Sequence, residues 1–379
     1  MNCKRIVFWQ ETPSPHQAPW VRSLAELLPD GRVTGVFSSR LGARRAAMGW
    51  HPPDYGKAQV VISPNRFVLK DLLARDPQRT IHIFSGGQNA KLDSTIEKAL
   101  SVGCLVGILS EGRDWRRVPG VLRKLHSQIN EGKYRNRVRF VLAMGHLAAK
   151  WFEMCGYSRE QIFPFCYVVE SEAAIHLERS NSSKVTLCFV GQLIERKRVD
   201  LLIQGLSGVK SGDWRLRVIG DGKQRAALEK LVHRLQLVGK IDFEGTLDNR
   251  TARRQLADSD VFVLPSDWDG WGAVVNEALM SGVPVICSDF CGASDLIRPC
   301  FNGELFECGS VDSLTSVLDK WISKGPLDVP VRKKIQNWSR CIEGQEVARY
   351  FIRIMDYLEG APSERPKAPW LTEDGHQAI

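Results

Sequence analysis

Two carboxylates, a lysine and a few glycines carry the chemistry legible in this sequence. Asp269 and Glu277 bracket the stretch Asp269-Gly270-Trp271-Gly272-Ala273-Val274-Val275-Asn276-Glu277. Gly270 and Gly272 let the backbone approach a phosphate closely, and a helix starting behind them offers N–H groups to an anion. Glu277 then falls about one turn into that helix, where a carboxylate can accept paired hydrogen bonds from vicinal hydroxyls such as those of a ribose. A second group is Gly191-Gln192-Leu193-Ile194-Glu195-Arg196-Lys197-Arg198, a glycine and three cations suited to a diphosphate. A third candidate is His16, which can donate to a diphosphate, position an acceptor hydroxyl or brace its own loop. The plain alternatives are that Asp269 caps a turn, Glu277 is a solvated helix residue, and the cations before Val199 form an exposed charge run.

These groups can meet only if strands deliver them to one edge of a sheet. Val261-Phe262-Val263-Leu264-Pro265-Ser266 is a short apolar run closed by a turn residue, the signature of a parallel strand buried on both faces. Asp269 and its glycines then lie just beyond the carboxyl end of a strand, where open α/β sheets bind ligands. Gly191–Arg198 likewise follows a strand over 185–190 and precedes a helix over 199–206. A strand over 214–219 runs into Gly220-Asp221-Gly222, followed by a helix over 224–235 and a strand and exit loop over 241–247 that ends at Leu247. A strand over 283–287 exits through Ser288-Asp289-Phe290-Cys291-Gly292, and a turn and strand over 302–306 and helices over 311–323 and 330–358 complete this half.

The first 165 residues alternate in the same way, with strands over 5–8, 33–37, 60–62, 80–84, 105–109 and 139–143 and a helix over 20–28. Such alternation predicts a parallel sheet with right-handed crossovers. Loops at strand carboxyl ends carry His16-Gln17, Ser85-Gly86-Gly87-Gln88, Glu111 and Gly145-His146, whereas His82 reads as strand packing. The predicted organisation is a first domain over 1–170, a polar linker over 171–184, a second domain over 185–340, a helix over 341–360 crossing back, and a proline-bearing tail over 361–379 expected to be disordered.

Composition narrows the class. A chain of 379 residues with 43% hydrophobic and 25% charged residues is ordinary for a globular protein of two domains. No run of eighteen apolar residues suggests a membrane span, and the segment from Met1 to Trp9 lacks a signal-peptide core. Ten cysteines are too dilute for a disulfide scaffold, so a reducing, cytoplasmic setting is the simplest expectation. Cys287, Cys291, Cys300 and Cys308 have no His or second Cys pair at ligand spacing, which favours packing over a metal. The net charge of +9 suits an acidic partner: a sugar nucleotide, a lipid phosphate, an anionic membrane face or nucleic acid. Local clusters are Arg113, Arg116 and Arg117, and Lys133, Arg135, Arg137 and Arg139; each is a solvated basic face or a contact for anionic lipid headgroups.

The stretch from Asp269 to Glu277 resembles the carboxylate–x7–carboxylate motif of the retaining, nucleotide-sugar-dependent glycosyltransferases of family 4. The resemblance covers residues 185–307 well and the first domain loosely. That family has Glu at the first position, where this chain has Asp269, and Arg after the glycine of the cation loop, where this chain has Gln192. The resemblance implies a GT-B fold, two Rossmann-like doubly wound domains facing across a cleft with a C-terminal helix crossing back. It implies that Lys197, helped by Arg196, Gly191 and the backbone of Gly270, Trp271, Gly272, Ala273 and Val274, holds the donor diphosphate. Glu277 would hold the ribose and Asp269 a hydroxyl of the donor sugar, with the nucleobase against the loops at Gly220, Gly222 and Leu247.

The implied reaction moves a sugar from a nucleotide-diphosphate sugar to a glycan or lipid-linked acceptor of cell-surface polysaccharide synthesis, with retention and without a metal or cofactor. The departing phosphate takes the acceptor's proton, and the expected location is cytoplasmic, with peripheral contact to an anionic membrane and no nucleic acid. Asp258-Ser259-Asp260 and Asp267-Trp268-Asp269 match the D-x-D pattern of the other glycosyltransferase fold, so manganese dependence is the variant to exclude. Rivals are a sugar-nucleotide epimerase or phosphorylase on the same fold, a basic nucleic-acid-binding protein, and a non-catalytic binder.

Overall fold

The computed structural model describes residues 5–42, 51–85, 90–171, 184–360 and 364–372. Gly86-Gly87-Gln88 and residues 172–183 of the expected linker lie outside the described residues, as do 361–363 and 373–379 of the expected tail. The chain divides into two units. Unit 1 comprises Met1–Glu170 with Cys341–Thr372, and unit 2 comprises Ser171–Arg340 with Glu373–Ile379.

Unit 1 is built on seven parallel strands: β1 (Arg5–Gln10), β2 (Val33–Phe37), β3 (Gln59–Ile62), β4 (Thr80–Ser85), β5 (Leu105–Glu111), β6 (Phe140–Met144) and β7 (Ile162–Phe165). Their order is β3-β2-β1-β4-β5-β6-β7. The central strands are apolar on both faces because helices cover both sides, so β2 and β6 are buried along their whole length. The edges differ. β3 exposes Val60 and Ile62, and β7 carries Pro164, a residue a sheet tolerates at its edge.

Unit 2 has six parallel strands: β8 (Val185–Val190), β9 (Trp214–Ile219), β10 (Ile241–Gly245), β11 (Val261–Leu264), β12 (Val285–Ser288) and β13 (Gly303–Phe306). Their order is β10-β9-β8-β11-β12-β13. In both sheets the winding therefore reverses beside the first strand of the unit, between β1 and β4 and between β8 and β11. Loops leaving such a pair diverge and leave a crevice at the carboxyl edge.

Two expectations need correction. The predicted helix over 330–358 is two helices, Val329–Trp338 and Gly344–Leu358, separated by the 3-10 turn Ser339–Ile342. Gly344–Leu358 returns the chain to unit 1, burying Val347, Ala348, Tyr350, Phe351, Ile354 and Met355 along one stripe. It packs on the helix Ala18–Leu27, with Phe351 against Trp20 at 5.5 Å between ring centroids. Residues 364–372, within the tail expected to be disordered, also pack on unit 1. Trp370 is 1% exposed and meets Tyr350 edge-on at 5.8 Å. Arg365 donates to the carbonyls of Arg159, Glu160 and Ile162 and lies over the Phe163 ring. No described helix is long and apolar enough to cross a membrane.

Candidate functional site

At the reversal point of unit 2, the loops leaving β8 and β11 bring the cation run and the carboxylate motif together. The chain leaves β8 at Gly191 and turns through the 3-10 segment Glu195–Lys197, and Arg198 adopts a left-handed φ of 48° to start the helix Val199–Ser207. Lys197 runs back towards the sheet, its Cε 3.8 Å from the place a Gly191 Cβ would occupy. Its ammonium pairs directly with Asp269 Oδ2 from the loop after β11. Ser266 Oγ donates to the same oxygen at 3.3 Å, and Arg196 lies 3.6 Å from Oδ1 while donating to the Trp268 carbonyl. The Lys197 and Asp269 side chains are only 15% and 12% exposed, so both charges are largely withdrawn from water. Such a pair holds when further hydrogen bonds satisfy it, and here Ser266 and Arg196 flank the carboxylate. An ammonium has three N–H donors, so Lys197 retains capacity for an anion beside Asp269.

Main-chain hydrogen bonds fasten the loop that carries Asp269, alongside side-chain donors such as Ser288 Oγ to the Ser266 carbonyl at 2.6 Å. Asp269 N–H donates to the Phe290 carbonyl at 3.0 Å, and Gly292 N–H donates to the Asp269 carbonyl at 2.9 Å. This short parallel bridge ties the β11 exit loop to the β12 exit loop. A Cβ at Gly292 would overlap the Gly270 carbonyl, and Gly272, at φ +94°, would press a Cβ to 2.9 Å from Leu264. Sequence reasoning named 288–292 only as an exit loop and missed both this clasp and Ser266; the one signal was the Cys291-Gly292 pair directly after a buried strand.

The remaining candidates fall into place unequally. Trp271 has no exposed surface; its indole donates to Asn276 at 2.8 Å and its carbonyl accepts from Ala293, so its ring is core. Ala273 caps the helix Val274–Met280, and the half-buried Glu277 lies in its first turn. That helix has seven residues, so its dipole is short. A Cβ at Gly220 would overlap the Gly191 carbonyl, and one at Gly222 would overlap the Leu193 carbonyl. Gly191 N–H donates to Ile219 and Gly220 N–H to Gly245, which fastens the β8, β9 and β10 exits side by side. Close packing of backbone thus accounts for both glycines. Leu247 is half-buried beyond β10, and Gln192 is exposed. Of the D-x-D candidates, Asp260 accepts from the Thr186 amide at 2.8 Å and Asp269 from Lys197.

The corresponding edge of unit 1 is different. A hollow of about 240 Å³ opens there, lined by Gln17, Ser85, Ser110, Glu111, Arg113 and Tyr167 among others. His16 does not line it. Its ring stacks on Tyr167 at 5.5 Å, and its carbonyl accepts from Val168 N–H, which favours the bracing role for its ring. Gln17 is buried and accepts from the Trp20 indole at 2.7 Å. Behind the hollow, burial raises the pKa of Glu131, and burial lowers that of Arg113, opposed by Glu131. His82 is strand packing as expected: fully buried, it accepts from the Trp9 indole at 3.0 Å. Of the second basic cluster, Arg135 donates to the Gln128 and Cys155 carbonyls and Arg139 to the Leu358 carbonyl, so these two serve the fold.

Residues 172–338 match the family model of glycosyl transferases group 1. The lipopolysaccharide 1,6-galactosyltransferase of Escherichia coli K12 is 28% identical over 160 residues, covering 41% of this chain and 44% of that protein. A GDP-mannose-dependent alpha-mannosyltransferase of Mycolicibacterium smegmatis is 32% identical over 150 residues, 38% of each chain. These alignments span less than half of each relative. Among solved structures, Anabaena HepE in complex with UDP superposes with a TM-score of 0.69 at 14% identity, covering 93% of this chain and 100% of that one. The apo lipopolysaccharide outer core galactosyltransferase WaaB gives 0.69 at 18% identity, covering 93% and 99%. At such identities the likeness shows the fold alone. The second unit thus matches the group 1 glycosyl transferases in sequence, and the chain as a whole has the GT-B fold.

Proposed function

We propose that this chain is a retaining glycosyltransferase that moves a sugar from a nucleotide-diphosphate sugar to a glycan or lipid-linked acceptor in polysaccharide synthesis. The observation that carries the reading is the half-enclosed Lys197–Asp269 pair, flanked by Arg196, at the reversal point of unit 2. A sugar–diphosphate bond breaks when its departing charge is stabilised, and a pre-placed, largely enclosed ammonium beside a more exposed guanidinium supplies that stabilisation without a metal. Lys197 and Arg196 bind the diphosphate, Glu277 binds the ribose, and Asp269 orients both Lys197 and a donor-sugar hydroxyl. Retention follows if the acceptor attacks the face the phosphate leaves, with the phosphate taking the proton. The relatives' names support the class of reaction and differ in the donor: galactose in one, GDP-mannose in another. A neighbour was solved with UDP.

The test is a thermal-shift panel of UDP-, GDP-, ADP- and TDP-sugars, repeated with EDTA, followed by product analysis with the donor that binds. A bound donor raises the midpoint, by roughly 2.7 kcal/mol of stability at a hundred times its Kd. The expected result is one responding sugar nucleotide, insensitivity to EDTA, and transfer with the anomeric configuration of the donor. Inverted product, or donor epimerised with no acceptor present, overturns the assignment.

A further inference from the structure

The helix Arg117–Glu131 of unit 1 is built inside out. A helix on a globular surface turns its apolar stripe to the core and its polar face to water. Here Val118, Val121, Leu122, Leu125 and Ile129, spaced as one face of a helix, are 74%, 50%, 62%, 48% and 72% exposed. The inward face is small and polar instead. Gly120 is buried against the Trp115 backbone, Gln128 donates to the Met154 carbonyl at 2.7 Å, and Ser127 and Glu131 are buried together. The pattern is not a slip of register, because the inward polar groups are bonded and the outward ones are apolar in every turn. Five contiguous exposed aliphatic side chains mark an interaction surface rather than scattered surface apolarity.

Charge identifies the occupant. Residues 117–139 hold seven cations, Arg117, Arg123, Lys124, Lys133, Arg135, Arg137 and Arg139, and one carboxylate, Glu131, which is buried and pushed towards its neutral form. Arg123, Lys133 and Arg137 are exposed. An apolar stripe edged by exposed cations such as Arg123, Lys133 and Arg137 matches a bilayer with anionic headgroups: the aliphatic groups enter the acyl boundary while the cations remain among phosphates. A second copy of the chain fits poorly, because face-to-face stripes would bring like charges together.

We propose that this helix is a membrane-docking element that lays its Val118–Ile129 face into an anionic phospholipid surface. It stands independently of the reaction proposed above. The test is co-flotation of the full chain with phosphatidylcholine vesicles, with and without phosphatidylglycerol. The expected result is binding to the anionic vesicles that weakens with salt, and a loss of about tenfold or more in partitioning for Leu122→Glu and for Ile129→Glu. Both substituted side chains are exposed, so the thermal midpoint should stay within about 1 °C of the parent. Equal binding by parent and variants, binding to neither vesicle, or a dimer that Leu122→Glu dissolves without any vesicle binding would each overturn the proposal.

Discussion

The molecule makes the same topological device twice and finishes it in two different ways. In unit 2 the reversal between β8 and β11 is closed down: exit loops are bonded backbone to backbone, glycines permit the close approach, and an ion pair fills the centre. In unit 1 the reversal between β1 and β4 stands beside a hollow of about 240 Å³ whose polar lining comes from several separate loops. The difference teaches where charge must be pre-arranged. On the reaction proposed above, the two edges would serve two tasks: a diphosphate is one fixed anion and rewards a rigid pair of cations, whereas a hydroxyl-rich acceptor rewards room and several weaker hydrogen bonds.

The largest test of that contrast is Lys197→Ala. It removes the ammonium and leaves Asp269 without its closest partner, so kcat/KM for transfer should fall by about 100- to 1000-fold, in line with loss of a donor to developing charge. Lys197→Arg restores charge but not shape and should recover only part of the loss. Steady-state kinetics with the responding donor measures both, and a fall of less than threefold for Lys197→Ala would remove the ion pair from the chemistry.

Gly220→Ala comes next. The residue sits at φ +130°, and its Cβ would meet the Gly191 carbonyl, so unit 2 should lose about 3 kcal/mol. Gly103→Ala is the matched control in unit 1: φ is +85° with open space around it, and only the backbone strain, about 1 kcal/mol, should appear. Calorimetric unfolding of the two variants compares a glycine required by packing with one required by dihedral alone.

These sites also show what the sequence makes legible. Strands buried on both faces, such as β8 and β11, announce themselves as apolar runs, and charged residues directly behind them point to the edge. The clasp between Asp269 and Phe290–Gly292 does not, because main-chain hydrogen bonds leave no side-chain pattern. The break at Ser339–Ile342 was hidden because Ile342 is buried and continues the apolar period of the flanking helices. Prolines made the tail read as disordered, while Trp370 and Arg365 supply the anchors that composition alone ignores. The lining of the unit 1 hollow comes from loops far apart in the chain: the strand-end rule picks out Gln17, Ser85 and Glu111 one by one, but no spacing joins them to one another or to Tyr167.

His82 tests whether the sheet core of unit 1 is as closed as its edge is open. Burial, and secondarily Arg5, push its pKa down to about 3 from an ordinary 6.5. The folded unit keeps it neutral, so below pH 6.5 the unfolded chain binds a proton that the folded one refuses. Its contribution is complete above pH 6.5 and is lost as the pH falls towards 3, at up to roughly 1.4 kcal/mol per pH unit. Denaturant unfolding should therefore show about 2 kcal/mol less stability at pH 5 than at pH 6.5 from this group. His82→Asn, which keeps an acceptor for the Trp9 indole, should flatten the slope. An unchanged slope would assign the acid sensitivity to other groups.

The smallest effect belongs to the hollow, and it separates the two edges most sharply. If unit 1 binds the acceptor through several weak contacts, no single lining residue is decisive. Glu111→Gln keeps the size of the side chain but removes its charge and turns one acceptor oxygen into a donor, so the acceptor KM should rise by about tenfold, close to 1.4 kcal/mol, with kcat little changed. The donor-induced thermal shift should be untouched, because Glu111 belongs to unit 1 whereas Lys197 and Asp269 belong to unit 2. Arg113→Lys is the companion. It lies half-enclosed by the same lining, where burial lowers its pKa and Glu131 opposes the shift, so it is a cation held against water. Lysine there retains charge but loses the planar fork that can bridge two acceptor oxygens. A rise in acceptor KM for both variants, with donor binding intact, would place acceptor recognition in the hollow. Equal damage to donor and acceptor terms would instead mean that the two edges cannot be perturbed separately.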